Sequence, residues 1–172
     1  VAVLVVVALL VARVGPDDPR SLVATSTIAT ARVAEDDATV VMTDAEGDTL
    51  RTLTLEEWRA WAASRSGGLA EAPVRLGEVT LGPDAFDRFV AAAPVPGGRA
   101  ALAITGAYAM LTSVSHFSLV PIMGEPRRFG PVLMGDVEEL AWSPDGAHLA
   151  FAIGTAQGAG VDLEVRDGDD GA

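Results

Sequence analysis

The sequence predicts an all-β fold of short antiparallel strands joined by tight polar turns, and three observations carry that expectation. Val137 to Phe151 sets two short apolar runs, Leu140-Ala141-Trp142 and Leu149-Ala150-Phe151, on either side of Ser143-Pro144-Asp145-Gly146. Pro144 presets φ for a turn, and Asp145-Gly146 is a pair that tolerates positive φ, so the segment reads as a β-hairpin. A further alternating run, Val161 to Val165, closes in Asp167-Gly168. Three strands with polar hairpins between them make most of one four-stranded propeller blade. Lastly, strand, D-x-x-G turn and strand recur at Ala38 to Leu53, an internal echo of the same unit.

Taken in order, the chain opens with the uninterrupted apolar run Val1 to Ala12, followed by Arg13 and Gly15-Pro16. Twelve helical residues span about 18 Å, short of a hydrocarbon core of roughly 30 Å. A Val-rich run also suits a buried strand, but strands usually run only ~4–8 residues. Residues 1–14 are therefore read as the remnant of a signal peptide or membrane anchor, and 15–172 as the β domain. Ile28 to Val33 alternates as a strand, Glu35-Asp36-Asp37 is an acidic loop, and Ala38 to Thr43 is a strand. Asp44 to Asp48 turns, and Thr49 to Leu53 alternates again.

Thr54-Leu55-Glu56-Glu57 is a capping box. It opens a helix expected over Leu55 to Arg65, with Leu55, Trp58 and Ala62 on one face, Trp61 beside it, and Gly67-Gly68 beyond its end. Trp58 and Trp61 could stack on a ligand, but this spacing more often makes a packing face. The helix is an insertion in an otherwise β pattern. Val74 to Leu81 alternates as one strand, Gly82 to Ala85 turns, and Phe89 to Ala92 is apolar. Pro94 to Gly98 turns into Ala100 to Thr105. Aligning that turn with Asp145-Gly146 gives a separation near the ~40–50 residues of propeller repeats. Tyr108 to Ser115 reads as a loop or irregular strand, His116 to Ile122 as a third strand, and Arg127 to Phe129 as the start of a fourth.

Composition narrows the partners. The formal net charge is −12, which argues against nucleic acid or an anionic membrane surface as partner. That all twelve basic residues are arginine reflects the codon bias of a GC-rich genome, not chemistry. Hydrophobic residues make up 49% of the chain but aromatics only 5%, so Ala, Val and Leu must build the interior. There is no cysteine, which excludes disulfides and thiolate chemistry.

Trp142-Ser143-Pro144-Asp145-Gly146, two residues, Leu149-Ala150-Phe151, and a third strand ending at Asp167 together resemble the repeat of TolB-type β-propellers. The resemblance covers about the last fifth of the chain well and the remainder in degenerate form. It implies a partial propeller of antiparallel four-stranded blades, with the helix as an insertion. It also implies an extracytoplasmic, non-catalytic interaction module of the cell envelope, whose partner would be another envelope protein or a peptide. The other function the resemblance allows is the propeller domain of a prolyl-oligopeptidase-like peptidase, whose catalytic domain would lie outside this chain. Propellers of this kind close at about four to eight blades, and this chain has room for about three. The expectation is therefore a fragment, or a partial propeller that closes by oligomerisation.

Residues with site chemistry are few. The eight serines form no G-x-S-x-G elbow. His116 and His148 lack metal-ligand spacing; His116 reads as a strand-edge residue and His148 as a solvent-exposed one just past the turn. Asp44-Glu46-Asp48 and Asp167-Asp169-Asp170 could offer carboxylates to Ca²⁺, but turn chemistry explains both. No cofactor, metal or catalytic group is assigned. The residues singled out are structural: Trp142, Ser143, Pro144, Asp145 and Gly146 of the repeat, with Trp142 and Phe151 packing between blades.

Overall fold

The computed structural model describes residues 26–64, 69, 73–154 and 161–168. The apolar leader, Arg65, Gly67-Gly68 and Asp169-Asp170 lie outside the described residues. Three antiparallel meanders follow one another along the chain. The first sheet is β1 (Thr30–Val33), β2 (Thr39–Thr43) and β3 (Thr49–Thr54) in that order. The second is β6 (Arg88–Pro94), β7 (Ala100–Ala109) and β8 (Thr112–Pro121), edged by a broken strand whose halves, β9 (Arg127–Arg128) and β10 (Leu133–Met134), both pair β8. The third is β11 (Asp136–Trp142), β12 (His148–Gly154) and β13 (Val161–Asp167). The all-β expectation holds, with a single α-helix among the described residues. Only the second sheet has a fourth, broken strand among them.

The helix α1 (Leu55–Ala62) starts as its sequence dictates. The Thr54 hydroxyl accepts from the Glu57 N–H at 3.2 Å, and the Glu57 carboxylate accepts from the Thr54 N–H at 2.8 Å. A cap of this kind is worth about 1 kcal/mol. The helix is shorter than expected. Ser64 bonds the Trp61 carbonyl through both its N–H, at 2.8 Å, and its hydroxyl, replacing the α ladder with a tighter turn. The expected single strand Val74 to Leu81 is instead a hairpin of β4 (Val74–Leu76) and β5 (Val79–Leu81), with Gly77 at φ +60°. Leu76 and Leu81 both reach the core, and an odd spacing cannot place two side chains on one face of one strand. A short 3₁₀ turn at Pro83–Ala85 leads into β6.

Tyr108 to Ser115, expected to be irregular, lies within the longest hairpin. β7 and β8 pair over ten residues, from Ala100↔Pro121 to Ala109↔Thr112. Only Met110 and Leu111 separate them, at φ 50° and 64°. That is the two-residue connection normally filled by Asn-Gly, and each large residue in the left-handed region costs about 1–2 kcal/mol. No glycine marks the turn, so the sequence conceals it.

The second sheet is buried on both faces. Ala101, Ala103, Ala107, Val114 and Val120 face the first sheet and α1, while Leu102, Ile104, Phe117 and Leu119 face the third sheet. Small alanines on the first face leave room for Trp58, Trp61 and Phe86. On the other, Phe151 meets Phe117 at 5.2 Å between ring centroids, and Trp142 meets Phe129 at 5.8 Å.

A turn geometry repeats in all three meanders. In the third, the Ser143 N–H donates to His148 O at 2.8 Å and the Gly146 N–H to Ser143 O at 2.9 Å. Val95 and Gly98 do the same with Ala100 and Val95, at 3.0 and 2.9 Å, and Ala34 and Asp37 with Thr39 and Ala34, at 2.8 and 3.1 Å. The fourth turn residue has positive φ each time: Asp37 54°, Gly98 67°, Gly146 73°. Asp36 and Asp145 also accept from the N–H two residues on, each at 3.0 Å. The repeat therefore takes in the acidic loop Glu35-Asp36-Asp37, which sequence alone left outside it.

The meanders are not all stacked in the same sense. The Gly146 turn sits against Pro96 of the preceding turn, so β11 and β6 end on one rim. β1 instead runs antiparallel to β6, tied by Ile28 N–H to Gly98 O at 2.6 Å and Phe89 N–H to Asp37 O at 2.7 Å.

A β-carbon on Gly146 would come 3.3 Å from the Pro96 side chain, on a residue already at φ +73°. Gly146→Val is therefore expected to lower unfolding free energy by about 1–3 kcal/mol, measured by urea denaturation. Unchanged stability would contradict the turn assignment.

Candidate functional site

Ser143 to Gly146 form the turn between β11 and β12, and their side chains brace it. The Ser143 hydroxyl donates to Asp145 Oδ1 at 2.7 Å and accepts from the His148 N–H at 2.9 Å. These bonds, the Ser143 hydroxyl first and the Ala147 N–H second, hold the Asp145 carboxyl below the usual carboxylate range. Asp145 is thus a turn lock. His148 is exposed, as the sequence suggested. Asp44 is used likewise, accepting from the Asp48 N–H at 2.8 Å. No cluster of three or more metal-ligating side chains occurs among the described residues.

His116 is a correction. It is not at a strand edge but 1% exposed, because β8 is covered on both faces. Its ring lies edge-on to Trp58 at 5.3 Å, Trp61 at 6.2 Å and Phe86 at 6.0 Å between centroids. Trp58 Nε1 donates to Ser118 Oγ at 3.0 Å, and Ser118 Oγ lies 3.2 Å from His116 Nδ1. With the Ser118 hydroxyl donating, Nδ1 accepts and Nε2 carries the hydrogen. His116 Nε2 and Trp61 Nε1 are both buried without a hydrogen-bond partner.

Burial pushes the His116 imidazole down to about 3 from its ordinary 6.5, and the Arg128 guanidinium pushes the same way. A serine beside a neutral imidazole is the pairing that activates a nucleophile. Here Ser118 is fully buried behind Trp58, and His116 Nε2 has no partner to orient it, so the arrangement joins α1 to the second sheet. Trp58 and Trp61 are accordingly packing residues. Only the 3.6-residue spacing of that face hinted at a partner, and nothing in the sequence marked the partner as His116.

Among the described residues, two surfaces are apolar and exposed. On β13, Arg166 and Glu164 lie on the inner side, with Arg166 over the Phe151 ring at 5.3 Å and 3.1 Å from Glu164. Val161, Leu163 and Val165 project from the outer side, 55%, 75% and 63% exposed. They continue the face of Ala141, Ala150 and Ala152, where Glu139 and Leu163 wall a shallow groove. The first sheet's outer face is different, carrying Thr30, Arg32, Val41, Thr43 and Thr52, with Thr30 and Thr43 hydroxyls bonded at 2.8 Å. The second uncovered surface is the tip of the β7–β8 hairpin.

Comparison with family models, with curated proteins and with solved structures finds no match for this chain.

The neutral burial of His116 sets a pH dependence. Its folded value is depressed, so the unfolded chain takes a proton below pH 6.5 while the folded chain resists until about 3. Stability is therefore full above 6.5 and falls through that window, by up to about 5 kcal/mol. Urea titrations between these limits should show the slope in wild type and lose most of it in His116→Gln. An identical slope in both would place the histidine in solvent.

Proposed function

We propose that this chain is a non-catalytic binding module of β-propeller type, exported to the cell envelope, which takes a protein or peptide partner on the outer face of its third sheet. The observation that carries this reading is the asymmetry of the two outer sheet faces. One is clothed in threonine and arginine; the other exposes Val161, Leu163 and Val165 beside an alanine floor. A contiguous apolar face of this sort marks an interaction surface. The turn repeated in each meander, and the shared rim of the second and third, support a propeller-type arrangement of those two sheets. The antiparallel course of β1 against β6 sets the first sheet outside that relation. The cysteine-free composition and the apolar N-terminal run are compatible with export.

The reading is tested by a photocrosslinker on a single cysteine introduced at Leu163→Cys or Thr52→Cys in the full chain, expressed in cells and probed in envelope fractions. Adducts are expected from position 163 and not from position 52. Equal adducts from both, or none from 163, would refute the assignment of the binding face.

A further inference from the structure

We propose that the tip of the β7–β8 hairpin is a membrane-contact loop, inserting Met110 and Leu111 into a neutral lipid interface. The argument begins with backbone strain. Both central residues of the two-residue connection have positive φ, where Asn-Gly would sit without penalty. Met110 and Leu111 are 63% and 84% exposed, so the fold gains little packing from them. An observed outlier of this kind is a reason to look for function.

The surroundings choose the partner. No charged residue occurs anywhere between Ala100 and Pro121. Tyr108, 61% exposed and two residues before Met110, pairs an apolar ring with a hydroxyl suited to headgroup depth. Met134, 57% exposed and paired with Val114, widens the apolar end. Among the described residues, charge near the hairpin comes from Asp87, whose N–H bonds Gly106 O at 3.0 Å, its ion-pair partner Arg88, and Asp136, beside Gly135, whose N–H bonds Ser113 O at 2.8 Å; none lies on the tip itself. A convex tip of two residues has no groove to receive a peptide, but its shape inserts. A net charge of −12 disfavours anionic lipid, which leaves a zwitterionic interface.

The chain has no cysteine, so a single introduced one can be labelled cleanly. Full-length Leu111→Cys carrying an environment-sensitive fluorophore should shift its emission to the blue on phosphatidylcholine vesicles. The same label at Glu46→Cys, on an exposed turn of the first sheet, should not. M110N/L111G supplies the turn with its preferred residues. It should unfold at the same or higher temperature while its partition onto those vesicles drops at least tenfold. The proposal is overturned by no shift at position 111, by equal shifts at both positions, or by binding only to anionic vesicles. Undiminished partition of the double variant also overturns it. A shift at 111 produced by another protein but not by vesicles would assign the tip to a protein socket and overturn it too.

Discussion

The β7–β8 hairpin contributes to both hydrophobic cores at once, and the rest of the structure depends on that double burial. Successive residues of β7 alternate between the cores, alanines toward the helix and first sheet, Leu102 and Ile104 toward the third. A strand buried on both faces tolerates no charge and needs none, which accounts for twenty-two residues without Asp, Glu, Lys or Arg, the one titratable imidazole among them, His116, being held neutral. The size pattern is as informative as the polarity. Alanine opposite tryptophan on one side, and leucine opposite phenylalanine on the other, fill the two gaps with a low aromatic content.

Polar groups inside the first core follow from the same arrangement. Placing α1 over an alanine face brings Trp58 onto Ser118 and encloses His116, whose imidazole can remain there only uncharged. The helix is held from outside as well, since Arg59 donates to Phe86 O at 3.0 and 2.7 Å. Helix, 3₁₀ turn and second sheet therefore form one packed unit around an uncharged histidine, and its fit to the fold is conditional on pH.

What was legible in the sequence is what local chemistry decides. The Ser143–Gly146 turn, the capping box at Thr54 and the strand–turn–strand unit at Ala38 to Leu53 are each governed by residues within a few positions of one another. The failures are equally physical. Met110-Leu111 occupies a conformation that favours Asn-Gly, so the turn carries no signal. Ser64 ends α1 through a side-chain bond that periodicity does not foresee. His116 reads as an edge residue because nothing local reveals that a second layer covers β8. Of the candidate surfaces, the alternation Val161, Leu163, Val165 was visible, but which side faced outward depended on Arg166 turning in over Phe151.

The central claim is that a doubly covered hairpin is the spine of the fold, and native-state hydrogen exchange tests it most directly. Amides of β7 and β8 from Ala101 to Ala107 and from Val114 to Val120 are predicted to exchange last, with the free energy of global unfolding. β13, at the edge of the third sheet with an exposed outer face, should exchange sooner through local opening. Exchange from the centre of β7 as fast as from β13 would contradict the account, since no covered strand would then hold the sheets together.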